Sequence, residues 1–115
     1  MDYYNKKGEP IPMMVWAKLF ENKNYKIIEQ TILQNKKWVS TVWLGLNHNF
    51  RPRSKPIIFE TMVFSKKFKT IKKSPKELDI QRYFTLKEAK QGHKEMCKKW
   101  QTKLQKCSKK TSKKD

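Results

Sequence analysis

The chain has little cysteine, no long apolar run and few acidic residues, and each shortage excludes a class of protein. The two cysteines, Cys97 and Cys107, lie on one predicted helix, where their separation in sequence spans about 15 Å. That distance is too large for a disulfide, so we expect a reduced, cytoplasmic protein. Because there is no run of about 18 apolar residues and no signal-peptide pattern, we expect neither a membrane-spanning helix nor export.

The shortage of acidic residues leaves the chain strongly basic. It has 28 lysine and arginine residues against 10 acidic ones, for a net charge of +18, and nearly all of the bases are lysine. A field of this sign attracts nucleic acid, nucleotides or acidic protein surfaces, and it excludes a mimic of DNA. The alternative interpretation is that a lysine-rich genome has placed lysine on every solvated face of an ordinary domain.

Length and patterning predict a single domain over residues 13–106. A flexible N-terminal arm is expected over residues 1–12, where two prolines disfavour regular structure, and a basic disordered tail over residues 107–115. Residues 75–81 are expected to form a short helical turn. Short polar turns separate four apolar or alternating segments, which predicts an antiparallel meander: residues 13–20, 25–33, 38–46 and 57–64.

A capping box marks the start of a C-terminal helix, because the Thr85 hydroxyl can accept from the Glu88 amide while Glu88 reaches back. The helix is expected from about Leu86 to about Lys106. The predicted fold class is α+β, a four-stranded antiparallel meander sheet packed against one C-terminal amphipathic helix. The residues of the packing stripe recur at three- and four-residue steps: Leu86, Ala89, His93, Met96, Trp100, Leu104 and Cys107.

Three segments resemble a family of small, functionally uncharacterised proteins encoded by tailed phages and prophages. They are VSTVWLGLNHNF at residues 39–50, FETMVF at residues 59–64, and RYFT followed by AKQGH within residues 82–93. The family pattern reads VSTV-x-LGL-x-H-x-F, FETM-x-F and RY-x-T before A-x-x-GH, and the similarity runs from about Trp16 to Met96. The lysine-rich residues 65–76 depart from it, as does the tail. The resemblance implies an accessory role inside a bacterial host and supplies no established activity.

A candidate pocket is expected where the third predicted strand ends and the C-terminal helix begins. His48 lies just past that strand, and Glu60 lies in the middle of the neighbouring strand. Arg82 and His93 bracket the start of the helix. With Trp43 they are expected to form a small ligand-binding pocket with a cationic rim, able to bind a phosphate near the helix N-terminus. In the alternative arrangement, Glu60 and His93 lie on opposite faces of the sheet.

Motifs for catalysis and for cofactor binding are missing from the sequence. It contains no nucleophile motif, phosphate-binding loop, dinucleotide fingerprint or ligand-spaced repeat such as H-x-x-x-H. We therefore predict a non-enzymatic protein without catalytic residues, cofactor or bound metal. The alternative is a cluster of His48, Glu60 and His93 that performs acid–base chemistry.

Basic residues interleaved with an aromatic ring form a second candidate site, for nucleic acid. Arginine forks suit phosphate oxygens, lysines bind the backbone with release of counterions, and an exposed ring can stack on a base. The alternative for the phenylalanine is that it anchors its loop to the core. The residues of this site are Arg51, Arg53, Lys66, Lys67, Phe68, Lys69, Lys72 and Lys73.

These observations lead to three functional hypotheses. The first is a phage-derived, non-enzymatic accessory protein that binds nucleic acid or a nucleic-acid-bearing host complex, with a role in counter-defence. The second is a counter-defence protein that sequesters a small nucleotide signal in the pocket. The third is a protein–protein inhibitor that docks on an acidic host target. No membrane partner is expected, and the small size and exposed aromatics would also suit a homodimer.

Overall fold

The sheet and its covering helix are the elements that position the candidate site. A computed structural model describes residues 2–47, 55–67 and 75–108, with residues 102–108 as backbone only. The elements in chain order are β1 (Tyr3–Tyr4), β2 (Pro10–Ile11), α1 (Met13–Glu21), α2 (Lys23–Lys26), β3 (Ile27–Ile32), β4 (Trp38–Trp43), β5 (Phe59–Phe64), β6 (Glu77–Tyr83) and α3 (Leu86–Ser108).

Strands β3, β4, β5 and β6 form one antiparallel sheet in that order, so each strand pairs with its neighbour in sequence. Helix α3 packs on one face of the sheet and contacts all four strands. The predicted α+β fold, a four-stranded antiparallel meander against a C-terminal helix, is confirmed. The assignment of two segments within it is wrong, because the meander begins at β3 and ends at β6.

Residues 13–20, predicted as the first strand, belong instead to helix α1. A short apolar run does not distinguish a strand from a helix by its periodicity. In the helix, the Trp16 and Phe20 rings lie 5.0 Å apart between centroids, and Phe20 lies 6.4 Å from Trp43. Met13 and Met14 remain 58% and 74% exposed. The helix therefore packs one apolar face near Trp43 at the end of β4, and its other face is exposed to solvent.

Residues 75–81, predicted as a helical turn, instead lead into strand β6. β6 lies at the edge of the sheet, and a polar, charged composition is typical of edge strands. Its side chains alternate: Asp79 bonds Trp100 on α3, whereas Arg82 bonds Glu60 on the opposite face. Backbone pairing with β5 outweighs the weak local signal, because tertiary context routinely overrides propensity.

Residues 2–12, expected as a flexible arm, contain a small antiparallel hairpin of β1 and β2. Gly8 takes a positive φ of 82° in its turn. The hairpin is attached to the end of β4: the Tyr4 amide donates to the Gly45 carbonyl at 2.8 Å, and the Trp43 indole donates to the Tyr4 carbonyl at 3.1 Å. These hydrogen bonds hold the segment against the domain, despite the prolines at its second strand.

The predicted capping box of α3 is present. The Glu88 amide donates to Thr85 Oγ1 at 3.1 Å, and the Thr85 amide donates to the Glu88 carboxylate at 3.2 Å. The helix runs to Ser108, close to the predicted end; the rest of the tail predicted over residues 107–115 lies outside the described residues. The core lies between α3 and the sheet in two clusters: Trp43, Ile58, Phe59, Tyr83 and Ala89 in one, and Leu33, Val39, Val63 and Met96 in the other.

Candidate functional site

Successive residues of a strand point to opposite faces of the sheet, and this alternation sorts the predicted site residues. On β4, Thr41 lies beneath α3, since it contacts His93 of that helix. We call the face opposite α3 the open face, because a surface groove lies along it. From the two central strands it carries Trp38, Ser40, Val42, Glu60, Met62 and Phe64, which pair across β4 and β5.

His93 belongs to the core under α3, where it is 1% exposed. Its Nε2 lies 2.9 Å from Thr31 Oγ1, and its Nδ1 lies 2.7 Å from Thr41 Oγ1. The Thr41 hydroxyl also bonds that of Thr61 at 2.5 Å. A neutral imidazole donates from one nitrogen and accepts at the other, so two hydroxyls satisfy both. This arrangement connects β3, β4 and β5 to α3.

The chemistry around His93 favours its neutral form. Burial lowers the pKa of His93 below its usual value of 6.5, because a low-dielectric surrounding disfavours the charged imidazolium. The Glu29 carboxylate opposes this shift from 3.9 Å, but it is half exposed. His93 is thus a neutral imidazole with both ring nitrogens hydrogen-bonded, and we interpret it as a structural group. It lies on the face of the sheet opposite Glu60, which is the alternative arrangement given in the sequence analysis.

The predicted pocket therefore does not form as proposed. Trp43 is fully buried on the α3 side of the sheet, as is His93, whereas Glu60 and Arg82 lie on the open face. The physical reason is strand alternation: Glu60 precedes Thr61, and Thr61 reaches the hydrogen bonds around His93. His48 lies outside the described residues. Of the four predicted pocket residues that the structure describes, Glu60 and Arg82 are the two that form a contact on the open face.

Glu60 and Arg82 form an ion pair between paired positions of β5 and β6. Arg82 Nε donates to Glu60 Oε2 at 3.0 Å; the Glu60 side chain is 11% exposed and that of Arg82 is 46% exposed. Within the described ranges, Arg82 Nε is the one side-chain donor that reaches this carboxylate. The second oxygen, Oε1, therefore keeps its acceptor capacity at the surface of the open face.

A groove of about 430 Å³ follows the open face along β4 and β5. Trp38 and Phe64 lie at one end with ring centroids 5.2 Å apart and a 32° angle between the rings, and Glu60 lies toward the other end. Both rings are half-buried, so part of each remains accessible. The lining is mostly apolar and consists of Lys26, Trp38, Ser40, Val42, Leu44, Glu60, Met62, Phe64, Pro75 and Glu77.

The predicted nucleic-acid site is described only in part. Lys66 and Lys67 are exposed and follow Phe64 closely at the end of β5, which places them beside the aromatic end of the groove. At the other end, Lys26 lines the groove with its Nζ 3.8 Å from the centroid of the Phe20 ring. The other predicted residues of this site, Arg51, Arg53, Phe68, Lys69, Lys72 and Lys73, lie outside the described residues.

Sequence reasoning missed Trp38 and Phe64 as candidate ligand contacts. A signal was available, because Phe64 is four residues from Glu60 and therefore shares its face of the strand. It also missed the hydroxyls of Thr31 and Thr41 as partners of His93. No short-range pattern identifies these two, since they lie 62 and 52 residues from His93 in the chain.

The described residues offer neither a metal site nor a membrane-spanning helix as a further candidate site. Among the residues with described side chains, no group of three or more His, Cys, Asp or Glu is placed to hold a metal ion. None of the helices described is both long enough and apolar enough to cross a membrane. Comparison with protein-family models, with curated proteins and with solved structures finds no match to the chain.

Proposed function

We propose that this protein is a non-enzymatic binder of single-stranded nucleic acid and that the strand lies along the groove of the open face. The observation that carries this proposal is the aromatic pair Trp38 and Phe64, which lie on the two central strands of the sheet and on the face opposite α3. Side chains on such a sheet face stack with unpaired bases in several RNA- and DNA-binding modules. Every base has a π-face, so this contact tolerates many sequences.

The length of the groove favours a strand over a single nucleotide. Phe64 and Glu60 lie on the same face of β5, four residues apart, which corresponds to about 13 Å. One base stacked on the aromatic pair cannot also reach the carboxylate. A ligand that uses both ends of the groove therefore needs more than one nucleotide.

Charge supports the same ligand. The chain carries a net charge of +18, and Lys66 and Lys67 are exposed beside the aromatic end of the groove. Arg82 is exposed on its outer side at the Glu60 end. Lysine and arginine at these positions would contact the phosphates on either side of the stacked bases, and each such contact releases counterions.

The resemblance to phage proteins suggests where such binding would act. In a bacterial host, the partner would be phage or host nucleic acid, free or within a host complex, and the role would be accessory, as in counter-defence. This part of the proposal rests on the resemblance alone.

The test is direct titration of a fluorescently labelled oligothymidine by anisotropy. Loss of a stacking ring costs about 1–3 kcal/mol, so Trp38→Ala should weaken binding by roughly 5- to 150-fold. Ile32→Ala is the matched control. Ile32 is the cross-strand partner of Trp38 on β3, is 54% exposed and is not part of the groove lining. Equal affinities of wild type and Trp38→Ala would contradict the proposed role of the aromatic pair.

Salt dependence provides a second readout of the same proposal. Replacing Lys66 and Lys67 by glutamine should reduce the slope of log affinity against log salt by about 0.7 for each phosphate that the variant no longer neutralises. The control is the double variant Lys94→Gln, Lys98→Gln, which removes the same charge from exposed positions of α3 on the other side of the sheet. Equal slopes for the two double variants would show that the lysines beside the groove make no phosphate contact.

A small nucleotide is the second candidate ligand, because the groove volume of about 430 Å³ falls in the range of small-ligand pockets. In that case a mononucleotide would bind as tightly as an oligonucleotide, and affinity would change little between about 50 and 200 mM salt. Binding of neither ligand would reject both candidates and favour docking on an acidic host protein.

A further inference from the structure

We infer that Glu60 selects guanine among the bases of the bound strand, an inference that rests on the proposed function. The Glu60 side chain lines the groove and is 11% exposed. A carboxylate held among apolar side chains needs hydrogen-bond donors, because an unpaired buried charge is costly. Arg82 Nε supplies one donor to Oε2, and a ligand in the groove would supply the rest.

The Watson–Crick edges of the four bases differ in how well they meet this need. An ionised carboxylate only accepts hydrogen bonds, with two oxygens side by side. Guanine alone offers two adjacent donors, N1–H and the N2 amino group, that match the two oxygens. Adenine and cytosine offer one amino donor beside a ring acceptor, and thymine or uracil offers one donor between two carbonyls. Each of these acceptors would face a carboxylate oxygen and repel it.

Arg82 fixes the carboxylate in position for this contact. Its Nε bond at 3.0 Å connects adjacent strands at paired positions, and a charge-assisted hydrogen bond holds orientation more firmly than a neutral one. Glu60 is therefore presented rigidly, from the middle of a sheet instead of from a loop, which favours discrimination between bases. A site built to hydrogen-bond particular donors rejects analogues that lack them, since its own polar atoms are then left unpaired.

The discriminating ligands are oligothymidines that differ at one central base. We expect the oligonucleotide with a single guanine to bind wild-type protein about tenfold or more tightly than the one with thymine. Inosine, which lacks only the N2 amino group of guanine, should lose most of that gain. This comparison changes the ligand and leaves the protein unaltered, so folding of a variant does not enter the result.

The protein-side test is Glu60→Gln, which keeps the shape and replaces one acceptor oxygen by an amide donor. The preference for guanine over thymine, measured as the ratio of the two affinities within each variant, should fall below about twofold. Glu77→Gln is the matched control, because Glu77 also lines the groove and carries the same charge; its preference should remain. Far-UV circular dichroism should show that both variants are folded.

The outcomes separate this inference from the proposed function. Equal binding of all the oligonucleotides would overturn guanine selection and leave single-strand binding standing. A guanine preference that persists in Glu60→Gln would also overturn the inference, because another group would then be responsible. Failure to bind any oligonucleotide would overturn the proposed function and the inference with it.

Discussion

Mild acid should destabilise this fold through His93. The imidazole is buried and hydrogen-bonded on both nitrogens, and burial lowers its pKa below the usual 6.5. Between these two pKa values the unfolded chain binds a proton that the native chain does not. Stability therefore rises with pH across this interval and is lost as the pH falls below about 6.5.

The size of the effect is bounded by this single proton. If the native state takes up no proton, one histidine lowers the free energy of unfolding by at most about 1.4 kcal/mol between about pH 7.5 and 5.5. Glu29, 3.9 Å from Nε2, makes the loss smaller, since its charge favours the imidazolium. Carboxylates titrate mainly at lower pH, so this interval isolates the histidines.

Urea denaturation at several pH values measures this loss. His93→Gln should be less stable than wild type at every pH, because Thr31 and Thr41 lose part of their bonding, but its stability should vary little between about pH 7.5 and 5.5. If wild type and His93→Gln lose equal free energy on acidification, the destabilising proton binds elsewhere and the reasoning fails.

Two stability predictions concern the packing of α3. A Cβ at Gly92 would overlap the Tyr83 ring, so Gly92→Ala should lose about 1–3 kcal/mol to overpacking although alanine favours a helix by about 1 kcal/mol. Gln91→Ala is the control: it lies at an exposed neighbouring position and should not lose this stability. A Gly92→Ala protein more stable than wild type would show that the Tyr83 ring moves aside. Trp100→Ala should cost about 2–3 kcal/mol in chemical denaturation, less than the loss of a fully buried tryptophan, because Trp100 is half-buried. Part of this cost is the lost hydrogen bond from the Trp100 indole to Asp79. A loss below about 1 kcal/mol would place its ring outside the core.

Helix α3 could be predicted because its signals are local. Thr85 and Glu88 lie three residues apart, and the apolar stripe repeats with the helical period. The segment at residues 13–20 lacked such a signal, since every short apolar run fits both a strand and a helix. Its outcome depends on Trp43, which the Phe20 ring contacts from a distant part of the chain.

Only part of the candidate site could be predicted from the sequence. Glu60 and Arg82 were grouped correctly although β6 was not recognised. Glu60 stood out as a carboxylate in an apolar strand, and Arg82 stood out as a base just before the C-terminal helix. His93 was grouped with them wrongly, because the sequence left open which face of its strand Glu60 occupies. Because neighbouring side chains of a strand point to opposite faces, knowing that Thr61 faces the helix would have placed Glu60 away from His93. The sequence alone does not show which face Thr61 occupies.

The alternation along β5 also affects how this protein can evolve. Glu60 and Met62 line the groove, whereas Thr61 and Val63 lie beneath α3 and are fully buried. Under the proposed function, a substitution at Met62 would change the groove lining and leave the hydrogen bonds and packing beneath α3 in place. Selection on the proposed ligand site and selection for folding would then act on alternate residues of one strand.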